Sequence, residues 1–260
     1  MSHQLEYILN NKQLGSSELV NLLNDYFLSI KNNNSEIGKM LKLAKTKLGH
    51  FEAVNNYLNK LNSVLAKKDK TQLINFLSEY TNQEINKFEI IFNKIYPHLK
   101  KIKSIITLSR SGTVLEILKH LHQKNTQFEV VICESRPKLE GRLLAEELSG
   151  IGIKSLLISD AMMSLYVSKI NVAIIGADIV MKNGNVINKV GSNSMALLSR
   201  EYKNPFFVVT TKTKFTNRNS FYPKNENPKE LFNKKKKNLS VKNIYFEEIE
   251  KKLITKIFTD

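Results

Sequence analysis

A few short stretches of this chain carry the side-chain types that hold a phosphorylated molecule. Ser109-Arg110-Ser111-Gly112-Thr113 sets three hydroxyls, a guanidinium and a glycine at the end of the apolar run Ser104 to Leu108. Val114, Leu115, Ile117, Leu118 and Leu121 then recur at helical spacing. A helix that starts at such a turn aims unpaired N–H groups and the positive end of its dipole at the strand's exit, which is a seat for a phosphate. The next unit repeats the plan, with the strand Glu129 to Cys133, the turn Glu134-Ser135-Arg136-Pro137 and a helix from Gly141. There Arg136 could fork onto phosphate oxygens, with Glu134 orienting it. Asp178 follows the apolar run Val172 to Gly176 and either caps its own turn or presents a carboxylate to the same edge. Asn188-Lys189 supplies a directional amide beside a point charge, and Lys214 a further cation. Asp160 reads as the N-cap of the helix it begins.

The elements that position these groups follow from periodicity. From Lys101 onward, apolar runs at about 104–108, 129–133, 154–158, 171–176 and 206–210 alternate with helical stretches, the pattern of a doubly wound parallel sheet. In such sheets ligands sit outside the carboxyl ends of the strands, where both polar turns fall. Asn183-Gly184 marks a small hairpin between 179–181 and 185–187. Residues 216–240 read as a long loop, Ile244 to Phe246 as a last strand, and Glu247 to Phe258 as a closing helix. Before residue 98 the period is helical throughout. Apolar stripes define a helix over 17–31 with Ser16 or Ser17 as cap, a second to about Leu48, a third from Phe51 to Leu65, and a fourth through Ile74, Leu77, Ile85, Phe88, Phe92 and Ile95 to Tyr96-Pro97. The expected organisation is therefore an N-terminal helical domain, 1–98, followed by a Rossmann-like doubly wound parallel sheet, 99–260.

Composition narrows the class. With 260 residues the chain can bury a substantial core, and with one cysteine it can form no internal disulfide. No apolar run is long enough to cross a membrane, and the first residues, MSHQLEYILNNK, lack the charge and apolar pattern of a leader, so a cytoplasmic location is expected. The formal charge of +16 would suit nucleic acid. However, Lys, Asn and Ile are enriched together and aromatics are not interleaved with the basic residues, which argues against direct nucleic-acid binding. The Lys234–Lys237 run reads as a solvated loop.

TLSRSGTV, ESRPKLEGRLLAEEL and GADIVMKNGNVINKVGSNSMAL resemble conserved blocks of one superfamily. Its members are the α, β and δ subunits of eukaryotic translation initiation factor 2B, ribose-1,5-bisphosphate isomerase and methylthioribose-1-phosphate isomerase. The resemblance covers about residues 100–215, more weakly 240–260, and only faintly what precedes 100. It implies that Ser111, Gly112 and Thr113 hold a substrate phosphate, that Asn188, Lys189 and Lys214 contact the ligand, and that Asp178 matches an aspartate that moves a proton in the isomerases. Ser109 stands where the isomerases carry a catalytic cysteine. A thiol titrates near enough to neutrality to exchange protons, whereas a serine hydroxyl needs an activating base. The substitution points toward the initiation-factor subunits, unless Cys133, ending the neighbouring strand, supplies the thiol instead. The superfamily's N-terminal domain carries a Gly- and Arg-containing phosphate loop; here only Gly15-Ser16-Ser17 remains near that place. The resemblance further implies a phosphorylated sugar or nucleoside monophosphate as ligand, a homo-oligomer of at least two chains joined through C-terminal domains, a possible translation-factor partner, and neither cofactor nor metal. The rival reading is an aldose–ketose isomerase acting on a phosphorylated ribose.

Overall fold

The computed structural model describes residues 3–11, 14–124 and 127–260. Its first part is helical: α1 (His3–Asn10), α2 (Ser16–Ser29), α3 (Asn34–Leu48), α4 (Glu52–Ala66) and α5 (Lys70–Leu99). The helices begin where side chains can satisfy free N–H groups. Asn33 accepts from Glu36 N at 3.1 Å and Asp69 from Gln72 N at 3.0 Å. The cap of α2 is Gly15 rather than either serine. Here the reciprocal bond is made instead, with Gly15 N donating to Glu18 Oε2 at 3.0 Å. That leaves the Ser16 hydroxyl uncommitted, a point that matters for the site.

The apolar stripes close on one another around Leu23, Phe27, Tyr57 and Leu77. Within this core the fully buried Asn24 donates to Leu77 O at 2.9 Å and accepts from the Tyr57 hydroxyl at 3.1 Å. Tyr57→Phe would strand the Asn24 carbonyl oxygen, so a loss of about 1–2 kcal/mol is expected in urea unfolding. An unchanged midpoint would mean that another group takes over the bond.

The stripe expected over 74–95 lies on α5, and the Ile85 side chain is outside the described residues. This helix runs two residues past Pro97 to Leu99. A proline in the last turn disturbs few hydrogen bonds. Leu99 is fully buried, and the His98 ring packs edge-on against Phe207 and Phe258 at 5.6 and 5.3 Å, so packing carries the helix past the proline. The two ends of α5 serve different cores. Leu73, Leu77 and Tyr80 belong to the helical cluster, and Ile91, Phe92, Ile95 and Leu99 to the cluster against the sheet.

The second part alternates as its sequence predicts: β1 (Ser104–Leu108), α6 (Gly112–Gln123), β2 (Glu129–Cys133), α7 (Glu140–Gly150), β3 (Lys154–Ile158), α8 (Met163–Val167), β4 (Val172–Ile175), then β5 (Ile179–Val180), β6 (Val186–Lys189), α9 (Ser192–Glu201) and β7 (Phe206–Val209). β8 (Phe246–Ile249) and β9 (Lys256–Phe258) complete it. Six strands form one parallel sheet in the order β3-β2-β1-β4-β7-β9, and β5-β6-β8 form a small antiparallel sheet. The hairpin at Asn183-Gly184 is present as expected. The closing helix is not. Residues 246–258 instead give one strand to each sheet, because Ile257 and Phe258 pair beside Val208 and Val209 and cover an edge that a helix would leave open. The order reverses between β1 and β4, since β2 and β3 lie to one side of β1 and β7 and β9 to the other side of β4. That reversal makes a crevice at the carboxyl ends of these two strands.

Candidate functional site

The crevice is built by two turns and a close approach. Beyond β1, Ser109 adopts a left-handed backbone with φ of 62°, a conformation that costs a non-glycine residue of order 1–2 kcal/mol. What holds it is the next turn. Ser109 N donates to Ser135 Oγ at 2.6 Å, and Ser135 Oγ donates to Cys133 O at 3.0 Å. Asp160 braces that turn in its own right, accepting from Ser135 N at 2.8 Å and Arg136 N at 2.7 Å. Asp160 is thus not an N-cap; its carboxylate reaches across to the exit of β2.

On the other side of the reversal, Gly176 follows β4 and lies against the first turn. A Cβ there would sit 2.2 Å from Ser111 Oγ, so only glycine lets the two strand exits meet. Ser111 in turn caps α6, its hydroxyl accepting from Val114 N at 3.4 Å. The N-terminus of α6 consequently opens into the crevice.

The cavity above these turns measures about 470 Å³. Seven of the nine residues singled out in the sequence line it: Ser109, Ser111, Gly112, Asp178, Asn188, Lys189 and Lys214. They are spread from Ser109 to Lys214 along the chain, so the fold has gathered them. Thr113 and Arg136 do not reach it. Thr113 is buried behind Gly112 in the first turn of α6. The Arg136 side chain is exposed, since its backbone N–H is tied to Asp160 and the turn directs the side chain outward. Lys138, two residues on, takes a place in the wall. Glu134 pairs not with Arg136 but with Arg142, at 2.6 Å.

Cys133 is fully buried in the sheet's core and does not line the cavity. Burial, aided by the negative charge of Asp160, pushes its thiol up to about 12, so it stays protonated near neutrality. It is a packing residue, and the thiol missing at position 109 has no replacement from β2.

Asp178 has its carboxyl raised above the usual range. Burial favours the neutral acid, and the nearby charges of Lys214 and Lys189 oppose this only in part. The folded protein therefore holds this proton more tightly than the unfolded chain. The stability linked to Asp178 is complete below its unfolded value of about 3.8 and is lost as pH rises through the elevated folded value. Asp178→Asn should stabilise the protein at pH 7, with a gain that shrinks toward pH 4. Melting curves at the two pH values check it; a gain that grows on acidification would reverse the sign.

The remaining walls come from the helical part and from Arg110. The start of α2 contributes Gly15 to Glu18, and α3 and the turn after it contribute Leu48, His50 and Phe51. No arginine adjoins Gly15 in sequence, yet one arrives in space. The Arg110 guanidinium bonds Glu18 at 2.8 Å and Glu147 at 2.7 Å, clamping α2 to α7. From α4, Asn56 Nδ2 donates to Thr213 O at 2.8 Å, fixing the short turn that carries the buried Lys214.

Part of the long loop forms the outer wall. Glu230 accepts from Lys138, from the Tyr245 hydroxyl and, at 2.9 Å, from Asn243 Nδ2. The Tyr245 ring lies 5.0 Å from Lys189 Nζ and 5.1 Å from Lys138 Nζ. Lys189 itself is almost fully buried and pairs with Glu140 at 2.6 Å. Asn188 Nδ2 donates to Ser192 Oγ at 2.8 Å, which orients its amide. Lys234–Lys237, by contrast, are exposed as expected. No cluster of side chains able to hold a metal ion is found among the described residues.

A doubly wound parallel sheet, covered by a helical unit and opening at its strand-order reversal into a cavity lined by lysines, hydroxyls and carboxylates, places the chain in the α/β class with a crevice at its switch point. Residues 5–260 match the initiation factor 2 subunit family. The chain belongs to that family. Over 111 residues it is 42% identical to an eIF-2B subunit 2-like protein of Pyrococcus horikoshii, a stretch that spans 43% of this chain and 40% of that one. A longer match, 26% identical over 242 residues, covers 88% of this chain and 76% of the ribose 1,5-bisphosphate isomerase of Methanocaldococcus jannaschii. Among solved structures, the eIF-2B protein of Pyrococcus horikoshii superposes with a TM-score of 0.83 at 23% identity, over 98% of this chain and 93% of that one. The likeness at that identity shows the shared fold. No helix among the described residues is long and apolar enough to cross a membrane.

Proposed function

We propose that this chain is an initiation-factor-2B-subunit-like protein that binds a phosphorylated sugar or a nucleoside monophosphate in the crevice and does not turn it over. The observation that carries this reading is Ser109. It lines the cavity at the mouth of a helix N-terminus, where a hydroxyl can donate to phosphate but cannot replace a thiol in proton exchange. Ser111, Gly112, Asn188, Lys189 and Lys214 are the proposed ligand contacts.

The second reading, an aldose–ketose isomerase, is favoured by Asp178, whose carboxyl lines the cavity and holds its proton more tightly through burial, as suits a group that moves protons. One experiment separates the two. A ligand at a hundred times its Kd should add about 2.7 kcal/mol of stability in a thermal-shift series with ribose phosphates and nucleoside monophosphates, while NMR of the same mixtures shows the sugar unchanged. Efficient isomerisation by the wild-type protein, abolished in Asp178→Asn, would replace the binding reading with the enzymatic one. In the binding reading, Ser109→Cys gains slow turnover, because the helix N-terminus favours a thiolate there.

The proposed division into units is 1–98 and 99–260, with α5 shared between their cores. A homo-oligomer of at least two chains, a cytoplasmic location and a translation-factor partner complete the proposal. A tetrameric eIF2B β2δ2 complex is among the proteins with this fold. Light scattering at micromolar concentration tests assembly, and a monomer would remove that part.

A further inference from the structure

The chemistry of the cavity wall narrows the ligand. Four of its cations pair with carboxylates, Arg110 with Glu18 and Glu147, Lys138 with Glu230, Lys189 with Glu140 and Lys224 with Glu226, and Lys47 and Lys214 also line it. Asp178 adds its carboxyl within reach of the Lys189 and Lys214 charges.

Two atoms in the wall are buried yet lack a hydrogen-bond partner among the described residues. One is the Ser16 hydroxyl and the other is Glu140 Oε2. Ser16 opens α2 beside Gly15, whose backbone approaches Arg110 O in the first turn. A phosphate at the starts of α2 and α6 would accept a hydrogen bond from the Ser16 hydroxyl. Glu140 Oε2 demands the opposite partner. Its other oxygen is engaged by Lys189, and an ionised carboxylate only accepts hydrogen bonds. A ligand hydroxyl can satisfy it. A second phosphate is mostly dianionic at neutral pH and adds like charge against it, which is the repulsive element that specificity requires.

We propose that the cavity selects a sugar monophosphate over a bisphosphate, and that the Glu140 carboxylate sets this preference by accepting a hydrogen bond from a hydroxyl at the ligand's unphosphorylated end. This rests on the reading that the cavity binds a phosphorylated sugar or nucleotide. Glu140 is a specificity residue that touches the ligand, and no bond is made or broken.

Calorimetric titration of the full chain with ribose 5-phosphate, ribose 1,5-bisphosphate, the methyl riboside of ribose 5-phosphate and inorganic phosphate tests it. Wild-type protein should bind ribose 5-phosphate at least tenfold more tightly than the bisphosphate, and at least tenfold more tightly than the methyl riboside, whose capped oxygen cannot donate. Glu140→Gln exchanges an acceptor for an amide that donates to phosphate, so it should shift the ratio of monophosphate to bisphosphate affinity by tenfold or more toward the bisphosphate. Equal or tighter binding of the bisphosphate by the wild type, equal binding of the methyl riboside, or an unchanged ratio in Glu140→Gln overturns the assignment. The wild-type comparisons stand even where the variant does not fold. If none of the four compounds binds, the reading of the cavity fails first, and the preference falls with it.

Discussion

Lys189→Met is expected to destabilise the protein by about 3 kcal/mol, read as a lower midpoint in urea unfolding. The lysine side chain is 4% exposed and its partner Glu140 18% exposed, at 2.6 Å. Methionine fills nearly the same space but leaves the carboxylate desolvated and without its cation. Breaking a buried pair from one side costs about 3–5 kcal/mol, and the partial exposure of Glu140 places this case at the lower end. The Tyr245 face loses a cation as well, worth about 0.5–1 kcal/mol. The double variant Lys189→Met/Glu140→Gln removes the stranded charge and should recover most of the loss. If it is no more stable than the single variant, the pair is not what holds this wall.

Arg110→Met should cost about 2–3 kcal/mol and, more tellingly, weaken phosphate binding without removing a residue from the proposed contacts. The guanidinium is 10% exposed and bonds two carboxylates on different elements, Glu18 on α2 and Glu147 on α7. Those carboxylates are 30% and 38% exposed, so water can partly re-solvate them, which reduces the penalty from the fully buried case. The geometric effect is larger. Without the clamp, two like charges face one another and the start of α2 is pushed from the crevice, taking the Ser16 hydroxyl with it. Melting curves with and without inorganic phosphate separate the two contributions. A variant that melts earlier but keeps the full phosphate-induced shift would show that α2 has no part in binding.

Much of this arrangement is legible in the residues. The strands of the parallel sheet through β7 are runs of Ile, Val, Leu and Phe bounded by turn residues, so periodicity and composition place them within a residue or two. The Ser109–Thr113 turn announces itself because hydroxyls and a glycine interrupt an apolar run. Arg136 shows where such reasoning stops. Whether Arg136 or Lys138 faces the cavity depends on the Ser135 backbone, at φ of 67°, and on Asp160 reaching over from the turn after β3. Neither is a property of the local sequence. The Glu247–Phe258 segment misleads for a related reason, since its charged residues sit as well on a helix as on two short strands, and the open edge of β7 decides between them. The outer wall from Glu230, Asn243 and Tyr245 lies in a stretch without periodicity, and only the partners Lys138 and Lys189 give it order.

Helix α5 has thirty residues and so spans ~45 Å at 1.5 Å per residue. Its first turns are buried among the helices and its last turns against the sheet. Once nucleated, helical hydrogen bonding propagates residue by residue, so one continuous backbone runs from the first core into the second. The two cores are therefore coupled in melting: heat that dissolves the helical cluster also strips the cover from one face of the sheet. Such a chain should lose its structure in one step, with calorimetric and van't Hoff enthalpies in agreement, although its sequence is written in two different periods.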